Sequence, residues 1–163
     1  MLNVQPVTLT DGRIRLQPMS LEHVDALKAA AADGELWNLR VTSVPEPANT
    51  RAYVERALSM TDRLPFVVVD LENGNRIVGS TSYHDIVPAI DRVEIGWTWY
   101  ARSTQRSHVN TCAKLLLAED IPVAALQSKD EKVSIPPLIG ALLKNEQDVT
   151  LFEKLIFMQR NNR

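Results

Sequence analysis

The chain has 163 residues, enough for one domain with a buried core. It is 45% hydrophobic and 23% charged, with a formal net charge of -2 and a pI of about 5.9. That balance excludes the excess of Lys and Arg that a nucleic-acid surface needs. No window approaches the ~18 consecutive apolar residues of a membrane span. The first residues, MLNVQPVTLTDG, lack the basic start and long apolar run of a signal peptide. Cys112 is the single cysteine, so no internal disulfide can form, and a reducing cytoplasmic location is the expectation.

In chain order, residues 7–9 and 14–16 are apolar runs flanking Thr10-Asp11-Gly12-Arg13, which predicts a hairpin. Pro18-Met19-Ser20 predicts the end of that strand. Ser20 is a candidate N-cap for a helix with Leu21, Val24 and Leu27 on one face, ending at Asp33-Gly34. Residues 41–49, with Pro45 and Pro47, read as a loop. A second helix starts near Asn49 or Thr50, with Tyr53, Val54, Ala57 and Leu58 as its apolar stripe. Residues 66–69 predict a strand, Glu72-Asn73-Gly74-Asn75 a turn, and residues 76–83 the next strand. A second connection, Val87-Pro88-Ala89-Ile90-Asp91, leads into a third strand over residues 92–100.

Residues 93–117 carry the most information. They read as a strand that ends, a short polar loop, and an amphipathic helix. Such a junction presents unpaired amides and the positive end of a helix dipole, a place for phosphate or pyrophosphate. Gln105, Arg106, Ser107, His108, Val109, Asn110 and Thr111 lie there. The nearby basic side chains (Arg102, Arg106, His108 and Lys114) are few, which suits a small phosphorylated molecule better than a polymer. Strands and helices in this order argue an α+β or mixed α/β fold in a single domain, residues 1–163.

Three segments in order, RIVGSTSYHDI, VEIGWTWYARS and QRSHVNTCAKLLL, resemble the GNAT superfamily of acetyl-CoA-dependent N-acetyltransferases. The nearest likeness is to the branch acetylating ribosomal-protein N-termini, and it covers residues 6–118. The resemblance implies a mostly antiparallel sheet flanked by helices. It implies acetyl-CoA as cosubstrate and, as acceptor, a primary amine on a small molecule or a protein N-terminus. It further implies that the strand with Trp97, Thr98 and Trp99 splays from a neighbour and offers backbone groups to the acetyl and pantetheine portions. Residues 105–111 would cradle the pyrophosphate, and Glu94 would be the catalytic base. Amine acetylation needs a proton acceptor and a fixed donor for the developing oxyanion, and a carboxylate and a strand amide have those properties.

The chain departs from the family pattern in two places. His108 and Asn110 fill the two glycine positions of the phosphate loop. Residues 119–163 lack the usual Asn-bearing loop and final helix, so this segment reads as divergent and shortened, and no general acid is assigned. Asp120-Ile121-Pro122 predicts an early helix stop, residues 123–126 a short strand, and Thr150 with Glu153 a capping box. A homodimer through this segment is a further expectation, because a shortened sheet exposes an edge. The rival reading is a non-catalytic CoA-binding or interaction module.

Other residues have plainer readings beside the functional one. Glu94 is a base or an exposed strand carboxylate, and His84-Asp85 a dyad or a polar turn. Cys112 reads as a small buried residue, and Trp97 and Trp99 as core residues on one side of their strand. No His, Cys or carboxylate spacing predicts a metal site.

Overall fold

The Asp-Gly turn closes the first hairpin through its own side chain. Asp11 Oδ1 accepts from the amides of Arg13 and Ile14, both at 2.9 Å, and Gly12 takes φ +87°. Partial burial pushes the Asp11 pKa up; the amides of Ile14 and Arg13 outweigh it, and the net position is below the usual carboxylate range. The turn joins β1 (Leu9–Thr10) to β2 (Ile14–Pro18). The structure is a computed structural model and describes residues 2–38 and 42–121. The expected strand at 123–126, the capping box at Thr150 and Glu153, and most of the segment assigned to a dimer lie outside the described residues.

Pro18 is the last residue of β2, as the sequence predicts. It pairs with Phe66, and the Met19 amide then donates to the Pro65 carbonyl. Ser20 and His23 cap each other around a single 3-10 turn, Leu21–His23, which leads into helix α1 (Val24–Ala32). That tighter turn takes Leu21 off the apolar stripe, and it stands 42% exposed. Helix α2 (Thr50–Ser59) buries Thr50, Val54 and Ala57, an i, i+4, i+7 stripe. Leu58 falls at the stripe's edge and is 44% exposed, where the sequence pattern had placed it inside.

Strands β3 (Leu64–Asp70), β4 (Arg76–Val87) and β5 (Arg92–Tyr100) form a meander. The described sheet has the order β1-β2-β3-β4-β5, with every neighbouring pair antiparallel. Strand β4 extends four residues past its expected end at Tyr83, since it continues to pair through an irregularity between His84 and Val87.

Period-2 alternation gives the sheet two covered faces. Val67, Val69 and Trp99 pack with Leu27, Ala31, Val54 and Ala57 of α1 and α2. Phe66 and Val68 point the other way, and Phe66 meets Tyr83 edge to face with ring centroids 5.7 Å apart. Helix α3 (His108–Asp120) lies across that second face, and the Tyr83 hydroxyl donates to the Leu117 carbonyl. The helix buries Val109, Ala113, Leu116 and Leu117 at helical spacing. It stops at Asp120, two residues before Pro122.

Candidate active site

Strand β5 is irregular where the sequence analysis places the acetyl group. Ser82 pairs with Gly96 and Ser80 with Trp99, so Trp97 and Thr98 together face the single residue Thr81. That is a β-bulge, which takes backbone groups out of the ladder and re-aims them. Trp97 sits at φ +51°, a left-handed conformation costing on the order of 1 kcal/mol or more for a non-glycine residue.

The bulge also sorts side chains between the two faces. Thr98 turns toward α3, where its Oγ1 meets Thr81 Oγ1 at 2.9 Å and accepts from Lys114 Nζ at 3.2 Å. Trp97 and Trp99 turn toward α2. Trp99 is buried in the core and its Nε1 donates to the Tyr53 hydroxyl at 3.2 Å. Trp97 is only half-buried, so it is not the core residue that alternation suggested. Its ring instead lies 4.2 Å below the guanidinium carbon of Arg63.

Glu94 stands opposite His84 in the β4–β5 ladder, half-buried. The irregularity after His84 puts Asp85 at φ +48° and brings its Oδ1 to 3.7 Å from His84 Nδ1. One ligand atom each from His84, Asp85 and Glu94 lies within 4.8 Å of the other two. The sequence spacing showed no such cluster, because Glu94 joins it only through strand pairing. The same trio can pass a proton or hold a cation. His84 lies against the Gly96 backbone, and the missing side chain there is what makes room for the imidazole.

After β5 the chain makes a short 3-10 turn, Arg102–Thr104, and enters α3 through a left-handed Arg106 at φ +61°. Ser107 is the N-cap. Its Oγ accepts from the Val109 amide at 3.3 Å and donates to the Thr104 carbonyl at 2.6 Å. Gln105 braces the loop by donating from Nε2 to the Tyr100 carbonyl. In the first turn Ser107 takes the amide of Val109, and those of residues 108 and 110 have no intrahelical acceptor. They are the groups a diphosphate would use, with the helix dipole behind them.

The imidazole at the first glycine position does not lie free over this mouth. His108 Nε2 sits 3.5 Å from Asp70 Oδ1 and 3.4 Å from Glu72 Oε2, folded toward the end of β3. It is sealed there without a hydrogen bond of good geometry. Arg102 is likewise occupied, its side chain packed over Gly34. Among the described residues Arg106 makes no hydrogen bond or ion pair, and it is exposed. The residues therefore fit a coenzyme tail held by backbone amides with Arg106 nearby, rather than by a cluster of side chains.

The described residues agree with relatives of known type. A family model described as "Acetyltransferase (GNAT) domain" matches residues 13–126. The chain belongs to the GNAT acetyltransferase family. Solved GNAT structures share its fold. A GCN5-related N-acetyltransferase from Brucella melitensis aligns at TM-score 0.61 and 23% identity, covering 71% of this chain and 54% of that one. RimL, a ribosomal L7/L12 α-N-protein acetyltransferase in complex with coenzyme A, aligns at TM-score 0.58 and 18% identity, covering 69% and 66%. MccE, the microcin C7 self immunity acetyltransferase in complex with acetyl-CoA and AMP, aligns at TM-score 0.57 and 17% identity, covering 68% and 63%. This GNAT chain spans between 54% and 62% of the length of the first four such structures. No curated protein matches it by sequence. No helix among the described residues is long and apolar enough to cross a membrane.

Sequence reasoning missed Arg63 and assigned Tyr53 only to an apolar stripe. Arg63 lies outside every motif, and nothing in its neighbours, Asp62 and Leu64, marks it as buried.

Proposed function

We propose that the chain transfers an acetyl group from acetyl-CoA to a primary amine, on a protein N-terminus or a small molecule, by direct attack. The bulge at Trp97 and Thr98 carries this reading. It frees strand amides on the same β5 whose end leads, within eight residues, to the α3 mouth. Residues 105–111 hold the diphosphate through amides, and the 97–99 backbone donates to the developing oxyanion. Glu94 removes the ammonium proton, directly or through one water, with His84 beside it. The coenzyme supplies the activated acyl group, so no protein nucleophile is needed. A cytoplasmic setting fits the lone, buried Cys112.

The test combines binding and turnover. Acetyl-CoA at ~100 times its Kd should add about 2.7 kcal/mol of stability. Transfer should appear against a panel of amines, and Glu94→Gln should cut it by roughly 10²-fold or more while keeping the coenzyme-induced thermal shift. A shift with no transfer to any amine would favour a non-catalytic coenzyme-binding module. No shift at all would end both readings.

A further inference from the structure

Among the described residues, Arg63 is the one cation deep in the α2 side of the sheet with no carboxylate to answer its charge. It is 6% exposed. Its Nε donates to Ser82 Oγ at 3.0 Å and its Nη2 to the Tyr53 hydroxyl at 3.3 Å. Its planar group lies over the Trp97 ring at 4.2 Å and near the Tyr53 ring at 5.7 Å. No carboxylate pairs with it among the described residues, and hydroxyl oxygens are its only hydrogen-bond acceptors there. A buried guanidinium without a counter-anion is costly, and hydroxyls with an aromatic face only partly offset that cost.

A second observation points the same way. The Tyr53 oxygen already accepts from two donors, Arg63 Nη2 and Trp99 Nε1. A phenolic oxygen has two lone pairs and one proton. Its own proton has no acceptor among the described residues. Arg63 has five N–H groups, of which two are used. The cluster of Arg63, Tyr53, Trp99 and Ser82 therefore holds a surplus of donors and lacks an acceptor. A single planar guanidinium with no second cation beside it matches a single negative charge, and its fork matches a carboxylate.

Position ties this cluster to the reacting centre. Trp97 is the left-handed residue of the β5 bulge itself, and Glu94 lies three residues before it on the same strand. His84 and Ser82 alternate on the α2 face of β4, so the proposed base and the guanidinium share one side of the sheet.

We propose that Arg63, with the Tyr53 hydroxyl, recognises a carboxylate on the amine acceptor, placed on or next to the unit that carries the reacting nitrogen. This rests on the acetyl-transfer reading above and names the substrate class it acts on. Two sources fit the chemistry: an acidic residue at a polypeptide N-terminus, or a free amino acid with an acidic side chain.

The test uses matched acceptors that differ only in charge. One arm compares peptides beginning with Asp or Asn; the other compares the α-amides of aspartate and asparagine, so that the side-chain carboxylate is the only difference within each pair. The full chain should prefer the carboxylate member by about tenfold or more in kcat/KM, and the arm showing the preference identifies the source. Arg63→Gln should bring the ratio within about twofold through a raised KM for the acidic acceptor alone, and Arg63→Lys should keep part of it. Equal rates in the unaltered chain, or equal losses for both acceptors in Arg63→Gln, overturn the proposal. A second measurement needs no turnover. With CoA present, N-acetylaspartate and an N-acetyl-Asp peptide are titrated while tryptophan fluorescence is followed, since Trp97 lies under the guanidinium. A saturable response lost in Arg63→Gln supports the carboxylate site; no saturable response to either probe overturns it. A saturable, Arg63-dependent response without transfer to any amine would sink the acetyl-transfer reading and leave the carboxylate site standing.

Discussion

The His84 imidazole lies directly against the backbone of Gly96, so closely that a β-carbon on Gly96 would come within 2.3 Å of His84 Nε2. The clash is with the far end of a side chain, so the fold can absorb it by turning the imidazole away. Gly96→Ala is therefore expected to fold and melt within a few degrees of the unaltered chain. It should lower acetyl transfer by about tenfold or more, because a displacement near 1 Å beside the reacting groups is enough for that. Parallel melting curves and kcat/KM values check this, and unchanged kinetics would remove His84 from the neighbourhood of the reaction.

Gly79 presents the opposite case. A β-carbon there would meet the Trp99 carbonyl oxygen at 2.1 Å and the Tyr100 Cα at 2.9 Å, both backbone atoms of the paired strand. Neither can turn aside without separating β4 from β5. Gly79→Ala should cost at least about 1–3 kcal/mol, measured as a lower urea midpoint. A midpoint equal to that of the unaltered chain would show that the two strands are not packed as closely as described.

Two buried groups set an alkaline limit on stability. Burial first, then the nearby Asp120 carboxylate, pushes the Tyr83 hydroxyl far above its ordinary 10.0. Burial first, then Asp11, raises the Cys112 thiol from 9.0 to about 11. The native state thus keeps protons that the unfolded chain releases. Their contribution is fully present below pH 9 and is lost as pH rises, first through Cys112 and then, above pH 10, through Tyr83. The slope is about 1.4 kcal/mol per pH unit for each group titrating in the unfolded chain alone. Tyr83→Phe should flatten the decline above pH 10, and Cys112→Ala the decline between 9 and 11. Urea midpoints recorded from pH 7 to 11 decide it, and a pH-independent midpoint for the unaltered chain would contradict both assignments.

Ser107 joins the helix cap to the preceding turn. Its side chain accepts from the Val109 amide and donates to the Thr104 carbonyl. Replacement by Ala removes both bonds and should cost about 0.5–2 kcal/mol, whereas Gly should cost only a few tenths at the cap itself. Coenzyme binding should survive in Ser107→Ala, because the amides that face a diphosphate are backbone groups. Thermal melts with and without acetyl-CoA measure both effects. Loss of the coenzyme shift in a folded Ser107→Ala chain would mean that the serine hydroxyl, not the amides, grips the ligand.

Most of the architecture was readable because its signals are local. The Asp11-Gly12 turn, the Ser20 cap, the apolar run of residues 66–69 and the helix stop before Pro122 depend on neighbours within a few positions. Each appears in the fold near its expected place. Boundaries drifted where pairing, not propensity, decides them. Strand β4 outran Tyr83 because β5 continues to bond it. Leu21 and Leu58 left the apolar stripes because a 3-10 turn and an edge position rotate them outward.

The candidate site divides in the same way. The α3 mouth could be found from a strand, a polar loop and an amphipathic stripe in succession, and those amides follow from chain order alone. Which side chains gather around it could not. His108 folds onto Asp70 and Glu72 across 38 and 36 positions of sequence, His84 meets Glu94 through a ladder, and Arg63 finds Tyr53, Ser82 and Trp97 from three separate elements. Period and propensity are properties of a segment, so the amino-acid order was sufficient for the strands, the caps and the family. Desolvation and charge pairing are properties of space, so only the folded chain could decide that an unremarkable arginine is buried beside the bulged strand with no carboxylate partner among the described residues.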